Sequence, residues 1–261
     1  MPGPAVTASD ISARLQHARS VFETVDLFVA PSRSLSSEYA RLGIDEARLE
    51  VSDYGFRLRP SAPRASRSTS VVFGFAGTIV WHKGVHVLVE AAARLSGDAA
   101  VLVYGDPAVS PEYVARLRHA AGARVRFMGP FEHDRLGDVY GAMDVLVVPS
   151  LWPENSPLVI HEAFMHGVPV VGARVGGIPD LIEDGVNGLL YDAESVDALA
   201  RALQRFLDDR SLAGRLGSRA PALKSMASDA EAWERRYERV LAAPNRGATA
   251  RGHPAPRGVV L

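Results

Sequence analysis

Two carboxylates and one ammonium in this sequence stand where they could do chemistry. Glu154 lies in a loop after the apolar run Asp144-Val145-Leu146-Val147-Val148, and Glu162 follows it with seven residues between them. Glu162 sits among Val159, Ile160, Ala163 and Phe164, where a carboxylate needs a partner because an unpaired buried charge is costly. A sugar diol would serve, since an ionised carboxylate accepts two O–H hydrogen bonds at once. Residue type alone favours a plainer arrangement, with an Arg partner for Glu162 and a solvated Glu154. Lys83 ends the loop Gly77-Thr78-Ile79-Val80-Trp81-His82-Lys83-Gly84. A cation beside the free N–H groups of a helix start suits an anion, although a surface turn with a solvated Lys fits the same pattern. Only Lys83 and Lys224 are lysine among 29 basic side chains, and an ammonium is a point charge that Arg replaces poorly.

The elements that must position these groups follow from the pattern around them. The stretch 149–180 reads as loop, helix, strand, Gly-rich loop and helix start. Ser156 is expected as the N-cap, with Pro157 in the first helical position, Leu158 to Met165 helical and Gly167 closing the helix. Pro169 to Ala173 is the next strand, running into Gly176-Gly177, a pair suited to a tight turn. Upstream, strands are expected over Val71 to Ala76, Ala100 to Tyr104 and Val125 to Met128. They alternate with helices over Gly84 to Leu95, Pro111 to Ala121 and Glu132 to Ala142. Downstream come the strand Gly188 to Tyr191 and the helix Val196 to Leu207. Short loops between alternating strands and helices predict an α/β fold with a doubly wound parallel sheet. Ligands bind such sheets at the carboxyl ends of the strands, where these loops gather.

Before this domain, a helix over Ile11 to Thr24, a strand over Val25 to Ala30, a helix over Ser34 to Leu42 and a strand over Arg48 to Ser52 form one βαβ unit. One unit cannot bury both faces of its sheet. Helices over Leu212 to Met226 and Asp229 to Leu241 are expected after the domain. The resulting division is 1–56 for the partial N-terminal segment, 57–70 for a Pro/Arg/Ser-rich linker, 71–210 for the main domain, 211–243 for C-terminal helices and 244–261 for a disordered tail.

The string from Asp144 to Asp180 resembles the E-x7-E region of retaining GT-B glycosyltransferases of family 4, and the resemblance extends over about Val71 to Leu207. It implies the Rossmann-like C-terminal half of a GT-B fold, with 1–56 as the end of the acceptor-side domain. It implies transfer of a sugar from a nucleoside diphosphate sugar to an acceptor hydroxyl with retention. Glu154 would hold donor-sugar hydroxyls at the reacting centre, Glu162 the ribose hydroxyls, and Lys83 the diphosphate. The helix start over Asn155, Ser156 and Leu158 would add N–H groups for the leaving phosphate. Thr78 stands where the family has an Arg, so one positive charge is absent, with His82 and Arg174 as candidates to compensate. The Gly105-Asp106 and Gly129-Pro130-Phe131 loops would border the nucleobase. Trp81 and Phe131 are stacking candidates, with ordinary packing the plainer reading. His86 and His161 read as structural. In the same family, the final helices run back to the N-terminal domain.

Other classes find no support. The net charge of −1 gives no surface for nucleic acid. With no cysteine, disulfide and thiolate chemistry are excluded. There is no Walker loop, G-x-G-x-x-G or G-x-S-x-G. No Cys/His cluster or Asp-x-Asp pair suggests a metal, so no cofactor or metal is expected. No apolar run approaches the ~20 residues of a membrane helix, and a cytoplasmic chain is expected, with peripheral membrane attachment left open. The partners expected are the nucleotide-sugar donor, an acceptor that is a glycan, lipid or small molecule, and a chain that supplies the N-terminal domain. A nucleotide-sugar-binding module without catalysis, a subunit of a split enzyme and a nucleotide-sugar epimerase are the alternatives.

Overall fold

The computed structural model describes residues 5–58 and 70–243, so most of the expected linker and all of the expected tail lie outside the described residues. The main domain is one six-stranded sheet. Its strands are β3 (Val71–Ala76), β4 (Ala99–Tyr104), β5 (Val125–Gly129), β6 (Val145–Val148), β7 (Val170–Ala173) and β8 (Gly188–Tyr191). Every pairing is parallel and the order is β5-β4-β3-β6-β7-β8. Chain direction across the sheet therefore reverses between β3 and β6, the switch point at which doubly wound sheets open a crevice.

The strand sequences explain the architecture. β6 and β7 are buried at every position, as a strand covered on both faces requires. Side chains alternate between two cores. Phe73, Phe75, Val145 and Val147 face the layer that holds Leu88, Leu203 and Phe206, while Ala76, Leu146 and Val148 face the layer that holds Tyr140, Ile160 and Ile178. The helices that follow the strands are α3 (Val85–Ala93), α4 (Pro111–Ala120), α5 (Leu136–Gly141), α6 (Leu158–Met165), α7 (Ile178–Leu181) and α8 (Val196–Asp208).

The N-terminal unit contains α1 (Ala8–Glu23), β1 (Phe28–Ala30), α2 (Arg33–Arg41) and β2 (Leu49–Val51), with β1 and β2 parallel. Thr7 and Asp10 close a capping box on α1, and Phe22, Phe28 and Tyr39 pack their rings together. Several ties hold this unit to the rest. The last helix, α10 (Met226–Ala242), places Arg236 and Arg239 on Glu50, while Phe56 and Ser225 form a bridge across which Phe56 N donates to the Lys224 carbonyl at 2.8 Å. On the other side Asp180 of α7 accepts from Arg33 N at 2.7 Å and Ser34 N at 3.3 Å, meeting free amides at the start of α2.

Three expectations need correction. The helix expected over 212–226 is α9, Leu212–Gly217, and it ends there. Pro221 lacks an N–H and disfavours helical backbone before it, and the chain crosses over 218–224 without helix. The expected helix over 132–142 opens with a 3-10 turn, His133–Arg135, so α5 is shorter. Ser156 is not the N-cap of α6. Pro157 holds that place with extended backbone (φ −65°, ψ 115°), which frees the Ser156 hydroxyl for partners described below.

Candidate functional site

The two loops at the switch point lie against each other. Leu151 N, after β6, donates to the His82 carbonyl, after β3, at 2.8 Å. Gly84 has φ +70°, and a Cβ there would fall 1.8 Å from the Pro149 carbonyl oxygen, so only glycine allows this approach. The loop after β7 closes the other side. Gly177 N donates to the Glu154 carbonyl at 2.6 Å, and a Cβ on Gly177 would fall 1.9 Å from the Asn155 carbonyl oxygen. Both backbone segments that carry Lys83 and Glu154 are thus fixed by close packing.

Their side chains meet. Lys83 Nζ lies 2.6 Å from Glu154 Oε1, and Ser150 Oγ donates to the same oxygen at 2.9 Å. Glu154 is not left to solvent: its side chain is 14% exposed and that of Lys83 31%. Glu162 also has a partner, a tyrosine and not an arginine. The Tyr140 hydroxyl donates to Glu162 Oε2 at 2.7 Å. Burial pushes the Tyr140 phenol well up, and the Glu162 carboxylate pushes it further, which keeps the tyrosine protonated as a donor. His166 stacks on the Tyr140 ring at 5.3 Å, and its Nδ1 lies 2.7 Å from the Glu162 carbonyl oxygen.

The remaining expected residues sit as follows. Thr78 and Asn155 are exposed, and Leu158, 51% exposed, starts α6. Ser156 is buried. Its hydroxyl donates to Asp53 Oδ1 at 2.7 Å and lies 3.0 Å from His161 Nε2, which is 3.2 Å from Asp53 Oδ2. Because Ser156 gives its proton to Asp53, the Nε2 proton belongs on His161 as donor to both. Phe56 lies over the His161 ring at 4.6 Å. Trp81 is 63% exposed beside His86, with rings parallel at 6.1 Å, so it is not core packing. Phe131 meets the Tyr104 ring edge-on at 5.9 Å. Arg174 is engaged by Asp184 at 2.8 Å. Tyr140, Ser150 and Asp53 escaped the sequence reading. Ser150 has a weak local signal, a hydroxyl four residues before Glu154, whereas Tyr140 and Asp53 have none.

Residues 70–209 match the family described as Glycosyl transferases group 1. The chain belongs to that family. Its sheet is the Rossmann-like half of the GT-B fold found in this glycosyltransferase family. A D-inositol 3-phosphate glycosyltransferase of Rhodococcus opacus (strain B4) is 34% identical over 231 residues, covering 80% of this chain and 52% of that protein. Its counterpart in Mycolicibacterium smegmatis is 34% identical over 234 residues, covering 81% and 51%. The chain thus spans about half the length of the curated relatives it matches. Among solved structures, a sucrose-phosphate synthase from Thermosynechococcus elongatus superposes with a TM-score of 0.77 at 28% identity, covering 89% of this chain and 63% of that one. Anabaena Alr3699/HepE in complex with UDP gives 0.78 at 24% identity, covering 87% and 68%. No described helix of this glycosyltransferase-family chain is long and apolar enough to cross a membrane.

Proposed function

We propose that the chain is the donor-binding half of a retaining glycosyltransferase, which moves a sugar from a nucleoside diphosphate sugar to an acceptor hydroxyl. The observation that carries this reading is the meeting of Lys83 and Glu154 at 2.6 Å over the switch point, a place where a sheet of this order takes its ligand. Lys83 holds the diphosphate, and the free amides at the start of α6, beside Asn155, Ser156 and Leu158, share its charge. Glu162, steadied by Tyr140, takes the ribose hydroxyls, and Glu154 takes hydroxyls of the donor sugar at the reacting centre. The Gly105-Asp106 and Gly129-Pro130-Phe131 loops border the nucleobase, and Thr78 lines the phosphate loop without adding charge.

In the reaction the bond from the anomeric carbon to the phosphate oxygen breaks. A bond to the acceptor oxygen forms on the same face, and the acceptor proton passes to the leaving diphosphate. Lys83 and the α6 amides would stabilise the charge that grows on the leaving diphosphate. Acceptor contacts are assigned to the half of the fold that this chain does not span, supplied by a partner chain or by further sequence. Positioning the attacking hydroxyl can supply ~7–11 kcal/mol of a barrier, so the chain by itself is expected to bind donor and transfer sugar slowly.

Calorimetry of the full chain with UDP, ADP and their nucleosides tests the donor site. Lys83→Met is expected to weaken binding of the preferred diphosphate by about ten- to a hundredfold, in line with ~1.5–3 kcal/mol for a hydrogen bond to a charged group, and to leave nucleoside binding unchanged. Equal affinities of the variant and the unaltered chain for the diphosphate would remove Lys83 from the site.

A further inference from the structure

The contact that supports the donor site also sets a competition within it. Lys83 is the ammonium that the donor diphosphate needs, and Glu154 Oε1 lies 2.6 Å from it. This is not a chance meeting of two mobile surface side chains. Both loops are fixed by the Leu151–His82 hydrogen bond and by the Gly84 and Gly177 contacts, and the carboxylate is largely sheltered. Two anions then contend for one cation. When phosphate draws Lys83 away, the Glu154 carboxylate keeps Ser150 and faces a second negative charge at short range. A free nucleoside diphosphate offers nothing to satisfy that carboxylate. An intact nucleotide sugar brings hydroxyl donors next to the same phosphate, and a carboxylate accepts them well.

We infer that the Lys83–Glu154 pair is a specificity device: it sets the site against the free nucleoside diphosphate and in favour of the intact nucleotide sugar. The inference rests on the donor-site reading above and adds its selectivity. It makes the spent nucleotide the weaker ligand, which favours its release after transfer. Ser150, bonded to the same Oε1, holds the carboxylate in place for both partners.

The test is calorimetry of the full chain with UDP and ADP, each against its glucose conjugate. It uses the unaltered protein, Glu154→Gln, Glu154→Ala and Lys83→Met. Glu154→Gln keeps the shape of the side chain and removes its charge. It is expected to bind the preferred nucleoside diphosphate at least fivefold more tightly than the unaltered chain, while the preference for the sugar conjugate over the diphosphate shrinks. Glu154→Ala should change diphosphate affinity in the same direction, so a folding defect peculiar to one variant does not decide the matter. Unchanged or weaker diphosphate binding in both Glu154 variants, with Lys83→Met still losing affinity, would overturn the specificity device and leave the donor site standing. If Lys83→Met binds all four ligands as the unaltered chain does, or if none of the four binds, the donor-site reading falls and this inference with it.

Discussion

At the scale of single residues, the site depends on pairs in which each member sets the state of the other. Glu162 lies on a helix whose neighbours Ile160, Ala163 and Phe164 are buried, and the Tyr140 hydroxyl donates to it there. A half-buried carboxylate such as Glu162 that loses such a donor bears part of its own desolvation, up to ~1–3 kcal/mol. Tyr140→Phe is therefore expected to lower stability by about that amount in urea unfolding. Calorimetry should show weaker nucleoside binding in the same variant, because the ribose-binding carboxylate loses its support. A Tyr140→Phe chain as stable as the original, with the same nucleoside affinity, would show that the hydrogen bond does not serve Glu162. A related asymmetry separates the two carboxylates: Glu162→Ala should weaken nucleoside diphosphate binding, whereas Glu154→Ala should not. Glu162 and Glu154 were legible as candidates because a carboxylate in an apolar segment or a Pro-rich loop stands out locally. Their partners were not legible, since Tyr140 is 22 residues away from Glu162 and Lys83 is 71 from Glu154, distances that only the fold closes.

At the scale of elements, α6 is the hub. It starts four residues after Glu154 in the loop that leaves β6, and its buried His161 faces the N-terminal unit through Ser156 and Asp53. Burial lowers the pKa of His161, and Asp53 restores it in part. The folded chain then takes up this proton less readily than the unfolded chain, where histidine titrates near ~6.5. Stability from the group is complete above that value and is lost as pH falls through the window beneath it. His86, also lowered by burial, acts in the same direction. His161→Gln keeps an N–H donor without titrating, so its stability should fall less than that of the unaltered chain between pH 7.5 and pH 5.5 in urea unfolding. An equal fall in both would mean that His161 does not report the junction. The strands and most helices around this hub could be read from runs of β-branched residues and Gly or Pro punctuation, which are local signals. The start of α6 could not, because Ser156 resembles a cap in sequence while Asp53, 103 residues away, claims its hydroxyl. The end of α9 was overestimated because the apolar spacing continues past Gly217, although Pro221 forbids the helix.

At the scale of the whole molecule, the six-stranded sheet with order β5-β4-β3-β6-β7-β8 gathers the loops of β3, β6 and β7 at one end. The small β1–β2 unit is tied on by α10 and Asp180. The parallel, doubly wound character of the sheet was legible in the alternation of strands and helices, but the strand order was not, since the pairing of β3 with β6 joins segments about 70 residues apart by a contact that no local pattern encodes. The account's central claim is that donor binds at this switch point and nowhere else on the chain. Amide hydrogen exchange of the full chain, with and without saturating UDP-glucose or ADP-glucose, tests that claim most directly. The predicted result is protection confined to residues 77–84 and 154–162 and to the nucleobase loops 105–106 and 129–131, with α1 and the β1–β2 unit unchanged. Protection centred on residues 5–58, or none with either nucleotide sugar at saturation, would contradict it.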